Sequence, residues 1–281
     1  MQLKSLLFVP GDRPERMEKA LNSGADAIVL DLEDSVSSAH KKLARDAITA
    51  FLDRPRTDVK LFVRINPLQG NLAHDDLAAV LPCSPDGIAL PKAEGLASIR
   101  EIESLLGESD CAILPIVTET PLAMFRLGEY AGSSPRICGL TWGAEDLPAA
   151  IGATASREAD GTYTPPLELA RSLTLFAAHA AQVEAIDTIC PDFKDLEALR
   201  RYARQGVRDG FTGMMAIHPA QVPIINETYT PSQADIDHAR KIVDAFAAQP
   251  EAGVCSIDGR MIDAPHLKQA QRILSRAGLT T

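Results

Sequence analysis

Two carboxylates carry the first chemical information in the chain. Glu119 closes the apolar run 112–120, and Asp146, with Glu145 beside it, closes the run 137–146. If those runs are neighbouring parallel strands, the two carboxylates lie side by side, because adjacent strands are about 4.8 Å apart. Carboxylates that close repel each other unless a cation or a proton sits between them. No cysteine lies near either position. An oxygen-only donor set with open positions suits Mg²⁺, which keeps waters and takes substrate oxygens. A protonated or salt-bridged pair is the alternative, and spacing alone does not choose between Asp146 and Glu145.

Arg64 is the matching cation. It follows Leu61-Phe-Val63, so it must be paired or face a ligand, and its planar fork suits a carboxylate or an enolate oxygen. A bridge to Glu33 or Asp34 is compatible with that role. Other apolar runs also end in ionisable residues: Asp12-Arg13, Asp31-Leu-Glu-Asp34, Lys92 and His218. Any one of these is explained by a strand that has just reached solvent. Their recurrence points instead to a site built where the strands end. The run Asp31–Asp34 fits either a solvated loop or a supporting layer behind a metal. Trp142 and Met214-Met215 read as core or pocket wall, and His40, His74, His179 and His238 as surface or capping residues.

The elements that position these groups follow from periodicity. Eight apolar, β-rich runs (3–10, 27–34, 61–66, 87–92, 112–120, 137–146, 185–190 and 214–219) are mostly followed by amphipathic helical patterns. Near-continuous apolar strands alternating with helices predict a parallel sheet covered on both faces. Eight units without a glycine-rich dinucleotide fingerprint after the first strand favour a closed (β/α)₈ TIM barrel over an open sheet, and 281 residues suit it. The barrel is expected over residues 1–230. Residues 231–281 read as a C-terminal helical lid, with a helix over 232–248 capped by Ser232 and a last helix from Pro265. This appendage is too small to fold alone, so it must dock on its own barrel or on a neighbour's.

Composition narrows the partners. The net charge of −10 repels phosphodiester backbones, and the basic residues are scattered apart from Arg13, Arg16 and Lys19. Nucleic acid is therefore not expected. The five cysteines are widely spaced with no C-x-x-C pair, which reads as reduced, buried thiols. The N-terminal apolar run is too short for a signal peptide, and no stretch approaches 18 apolar residues, so a cytoplasmic protein without membrane segments is expected.

Seven segments together carry a family resemblance. They are Leu7-Phe-Val-Pro-Gly-Asp-Arg-Pro-Glu-Arg16, Val29-Leu-Asp-Leu-Glu-Asp-Ser-Val36, Val63-Arg-Ile-Asn66, Pro115-Ile-Val-Thr-Glu-Thr120, Leu140-Thr-Trp-Gly-Ala-Glu-Asp146, Ala216-Ile-His-Pro219 and Gly259-Arg-Met-Ile-Asp263. From the first strand to the last helix the chain resembles the citrate lyase beta-subunit and malyl-CoA/citramalyl-CoA lyase family. The resemblance implies a barrel with a C-terminal lid, assembled as a homo-oligomer, a trimer or hexamer. It implies Glu119 and Asp146 as the Mg²⁺ ligands, in preference to Glu145, and Arg64 and Glu119 in contact with substrate oxygens. A CoA surface would be formed by Phe8, the first loop and helix with Arg13 and Lys19, and the backbone of Met215 and Ala216. Asp263 would be the catalytic acid, reaching into a neighbour's barrel. On spacing alone, Asp263 reads as the N-cap of the last helix.

The expected activity is a Mg²⁺-dependent cleavage of a short 3-hydroxyacyl-CoA, such as malyl-, citramalyl- or citryl-CoA, to acetyl-CoA and a 2-keto acid, or the reverse condensation. Three alternatives share the site: a thioesterase on the same substrates, a metal-dependent 2-keto acid aldolase, and a beta subunit that works only within a citrate lyase complex with an acyl-carrier partner.

Overall fold

The computed structural model describes residues 3–249, 253–257 and 259–279. The chain opens with strand β1 (Ser5–Pro10), helix α1 (Pro14–Ala20), β2 (Ala27–Asp31), α2 (Lys41–Leu52), β3 (Lys60–Arg64), α3 (Leu72–Val80), β4 (Gly87–Leu90) and α4 (Leu96–Leu106). It continues through β5 (Ala112–Pro115), α5 (Pro121–Met124), β6 (Gly139–Thr141), α6 (Asp146–Ala150), α7 (Pro165–Ala181), β7 (Glu184–Asp187), α8 (Leu196–Asp209), β8 (Gly213–Ala216) and α9 (Val222–Tyr229). The eight strands are parallel and run in the order β5-β4-β3-β2-β1-β8-β7-β6. Parallel bridges Ile113↔Ile137 and Ile116↔Thr141 join the two ends of that order, and Val117 N–H donates to Thr141 O at 2.9 Å. The sheet thereby closes into the expected (β/α)₈ barrel.

The barrel is filled, not hollow. Leu6, Val29, Phe62, Ala89, Leu114, Ile186 and Met215, from seven of the strands, meet in one buried cluster. Large and small residues alternate around it. Phe62 pairs with Gly87 across β3 and β4, and a Cβ on Gly87 would sit 2.3 Å from the Phe62 ring. Burial of these side chains stabilises the barrel by roughly 1.5–3 kcal/mol for each large one.

Several strands are shorter than the apolar runs that contain them. β5 ends at Pro115 and β6 at Thr141, so Glu119 and Asp146 stand beyond the strand ends. Asp146 is the first residue of α6. Apolar character persists past each strand because the loop bases are buried too: Val117, Trp142 and Ala144 are nearly inaccessible. Periodicity cannot distinguish a buried strand from a buried loop. After β5 the helical layer is short, α5 followed by a 3₁₀ turn, Leu127–Tyr130.

The chain forms two compact units, which divide between Asn226 and Glu227, inside α9. The second unit contains α10 (Gln233–Ala248), the antiparallel hairpin of β9 (Val254–Ile257) and β10 (Arg260–Asp263), and α11 (Ala264–Arg276). Its core gathers Ala239, Ile242, Ile262, Ala270 and Leu274. Ser232 caps α10 by accepting from Asp235 N–H at 3.2 Å. Among the described residues no helix is long and apolar enough to cross a membrane.

Gly213 tests the closeness of the strands. A Cβ there would lie 2.0 Å from the backbone oxygen of Leu3, which cannot swing aside as a side chain can. Gly213→Ala should lower unfolding free energy by about 1–3 kcal/mol, the range for overpacking a tight core. Urea denaturation measures it, and an unchanged midpoint would show that the barrel is looser there than the geometry says.

Candidate active site

Parallel register makes the first contact of the site. Asp31 and Arg64 are paired positions at the ends of β2 and β3, so their side chains emerge together at the carboxyl end of the barrel. Arg64 donates from Nε to Asp31 Oδ1 at 2.7 Å and from Nη2 to Asp31 Oδ2 at 2.6 Å. Its Nη1 lies 2.8 Å from Glu33 Oε2. The Phe8 ring, from β1, packs under the guanidinium with 4.8 Å from its centroid to Cζ. Asp31 is fully buried and also accepts from the N–H groups of Glu33 and Ser35. Burial alone would raise its pKa, but the Arg64 fork outweighs burial and holds the carboxyl below its ordinary range.

Lys92 links this pair to the second half of the site. Its backbone is left-handed, φ +50°, which is uncommon outside glycine and costs on the order of 1–3 kcal/mol. In that conformation Lys92 N–H donates to Glu119 Oε2 at 2.5 Å. Its ammonium lies 2.7 Å from Glu33 Oε1 and 3.1 Å from Asp146 Oδ1. One residue therefore touches three carboxylates that arrive from the ends of β2, β5 and β6. Gly143 leaves the room for Glu119, since a Cβ there would lie 2.9 Å from Glu119 Cγ.

Charge is out of balance in this cluster. Asp31, Glu33, Glu119 and Asp146 meet Arg64 and Lys92 directly, with the Lys41 ammonium behind them on the backbone oxygens of Leu32 and Glu33, so the four carboxylates outnumber the three cations. The protein responds by raising pKa values. Burial, then the neighbouring Glu33, pushes Glu119 up to about 8 from an ordinary value near 4.5. Burial also raises Glu33, whose Oε2 lies against Arg64 Nη1 as an ion pair without a well-aligned hydrogen bond. For Lys92, burial favours the neutral amine, but contact with Glu33 outweighs it and keeps the ammonium charged. Among the described residues no three His, Cys, Asp or Glu side chains converge as a preformed metal cage. Two oxygen donors, Glu119 and the half-buried Asp146, with the remaining positions open, still fit a hard divalent cation that keeps its waters.

Other residues singled out from the sequence lie as follows. Glu145 is exposed, and it is Asp146 that reaches Lys92. Met215 and Ala216 are buried in β8, paired with Leu6 and Leu7 of β1. Arg13 and Lys19 are exposed on the α1 segment, Arg13 within 3.5 Å of Asp12. Asp263 belongs to the second unit, where it occupies the N-cap position of α11 with Oδ1 2.5 Å from His266 Nδ1. Trp142 is core, as expected, with Nε1 donating to the buried Asp187 at 2.8 Å. The sequence places Lys92 among the ionisable strand ends, as a lone cation after the apolar run 87–91, but assigns it no individual role.

A model of the family described as HpcH/HpaI aldolase/citrate lyase matches residues 4–219, most of the chain and all of the charge cluster above. The chain belongs to that family. A citrate lyase subunit beta-like protein of Mycobacterium tuberculosis is 38% identical over 98% of this chain and 96% of its own length. A (3S)-malyl-CoA thioesterase of Cereibacter sphaeroides is 31% identical over 98% of this chain and 94% of its own. Among solved structures, the protein CitE of M. tuberculosis in complex with magnesium, acetoacetate and coenzyme A superposes with a TM-score of 0.83 at 36% identity, covering 99% of this chain and 98% of that one. The residues of the charge cluster fall within motifs through which this chain resembles its family, with Lys92 the exception.

The raised Glu119 pKa has a thermodynamic sign. Below about pH 4.5 the carboxyl is protonated in folded and unfolded chain alike, and its contribution to stability is fully present. As pH rises towards 8, the unfolded chain releases that proton while the folded chain keeps it, and the contribution is lost. In EDTA, wild-type stability relative to Glu119→Gln should therefore fall between pH 5 and 8 by an amount on the order of a few kcal/mol. Parallel denaturation profiles across that range would contradict the assignment.

Proposed function

We propose that this chain is a Mg²⁺-dependent carbon–carbon lyase that cleaves a short 3-hydroxyacyl-CoA such as malyl-, citramalyl- or citryl-CoA to acetyl-CoA and a 2-keto acid, or joins them in reverse. One observation carries the reading: Glu119 and Asp146 both reach Lys92, one at its N–H and the other at its ammonium, and are close enough to raise the Glu119 pKa, in a cluster whose carboxylates outnumber its cations. The magnesium, acetoacetate and CoA bound by the M. tuberculosis relative support it. When bound at Glu119 and Asp146, Mg²⁺ would supply a Lewis acid for the substrate's hydroxyl or keto oxygen and its carboxylate.

The chain's own residues do the rest. Arg64 is already oriented by Asp31 and Glu33, and its terminal nitrogens each carry a second hydrogen that can be donated to the substrate carboxylate. The C3 hydroxyl gives up its proton to solvent and becomes the keto oxygen as the bond between C2 and C3 breaks, which leaves the electron pair on the acetyl-CoA side as an enolate. Its carbon needs a proton, which we assign to Asp263 of the second unit, presented by a neighbouring protomer in a trimer or hexamer. Phe8, Arg13, Lys19 and the β8 backbone at Met215 and Ala216 would line the path of the CoA moiety, with the two cations near its phosphates.

Hydrolysis is the second reading, favoured by the likeness to the (3S)-malyl-CoA thioesterase. The same carboxylates and Arg64 would hold the acid, and water would attack the thioester. Likeness to citrate lyase beta subunits, including that of Escherichia coli at 34% identity, adds the case in which the acyl group arrives on a carrier protein.

A product screen separates these. Purified protein with Mg²⁺ and malyl-, citramalyl- or citryl-CoA should yield acetyl-CoA and the matching keto acid. Free CoA without keto acid would identify the thioesterase, and turnover only with an acyl-carrier protein would identify the complex-bound subunit. Asp146→Asn should depress turnover at least 100-fold and weaken Mg²⁺ binding with it. Full activity of EDTA-treated, metal-free protein would overturn the proposed site.

A further inference from the structure

The position that a divalent cation would share between Glu119 and Asp146 is adjoined by a cation of the protein's own. Lys92 reaches both carboxylates by different atoms, its N–H to Glu119 and its ammonium to Asp146. Lys92 makes that double reach from a left-handed backbone, φ +50°. The ammonium's two partners are not equivalent. Glu33 is nearly inaccessible, and its backbone oxygen is pinned at 2.8 Å by the buried ammonium of Lys41, which also holds Leu32 O at 2.6 Å. Asp146 stands on the first turn of a five-residue helix with 29% of its side chain exposed, and its contact is longer, 3.1 Å against 2.7 Å.

We infer that Lys92 is a resident counter-ion of the metal carboxylates: it holds Glu119 and Asp146 together in the metal-free protein, releases Asp146 to an incoming divalent cation while keeping Glu33, and so sets how tightly that cation binds. This rests on the reading that Glu119 and Asp146 take the cation. The physics has a definite sign. An ammonium a few ångströms from a divalent ion repels it, by enough to weaken binding roughly tenfold even with strong screening. A lysine that served only to orient the carboxylates would have the opposite effect, because its loss would loosen them and weaken the site.

Calorimetric titration of the full chain with Mg²⁺ decides between the two. Lys92→Met and Lys92→Gln both remove the charge and differ in polarity, so one of them remains usable if the other folds poorly. Each should bind Mg²⁺ at least tenfold more tightly than wild type, while Lys92→Arg, which keeps the charge, stays within about threefold of wild type. Affinity equal to or weaker than wild type in both uncharged variants overturns the inference and leaves the metal site standing. Wild-type protein that binds no Mg²⁺ removes the metal site and the inference together.

Discussion

Surplus negative charge at the carboxyl end of the barrel is the constraint on which the rest of the site depends. Burying an unpaired carboxylate costs several kcal/mol, and proteins avoid it by pairing the charge, protonating it or binding a cation. This chain uses the first two remedies within a few residues. Arg64 pairs with Asp31 in two-point contact, Lys92 bridges Glu33 and Asp146, and Glu119 keeps its proton to about pH 8. In the proposed function a divalent cation would replace the proton on Glu119 with a stronger remedy.

Such an arrangement needs a scaffold that does not yield to it. Repulsion among the carboxylates would spread flexible loops, but here the groups are tied to paired strand ends. Asp31 and Arg64 are fixed side by side by the β2–β3 register, and the Val117–Thr141 hydrogen bond ties together the segments that lead to Glu119 and Asp146. Behind β6, Trp142 is anchored through Asp187 to Arg171 of α7 and Tyr202 of α8, a buried ionic network. The segment that delivers Gly143 and Asp146 is therefore held from below by the helical layer. Within the charge cluster the left-handed backbone falls at Lys92, where it serves the site.

Much of this was legible in the sequence. Alternation of apolar runs and helical patterns gave the closed barrel, and the placement of Arg64, Glu119 and Asp146 at the ends of runs gave a common face. Less legible was the distance of Glu119 and Asp146 from their strands, because buried loop residues such as Val117 and Ala144 look like strand residues to any periodic reading. Lys92 escaped for a different reason. Its role follows from a positive φ, and nothing in the residue type signals that, since glycine and asparagine are the usual occupants. The Asp31 contact escaped because parallel register depends on where two strands start relative to each other, which one chain read alone does not reveal. Asp263 reads both ways still, as the cap of α11 and as the proton donor assigned to it.

Counting protons tests the central claim most directly. If Glu119 holds a proton in the metal-free protein and exchanges it for a divalent cation, Mg²⁺ added to EDTA-treated protein at pH 7 must release close to one proton per chain. Calorimetry in buffers of different ionisation enthalpy measures that number. The account predicts near one at pH 7, falling towards zero above about pH 9, and loss of the release in Glu119→Gln. Tight Mg²⁺ binding at pH 7 with no proton released would contradict it, because the carboxylate surplus would then never have been held in check by a proton.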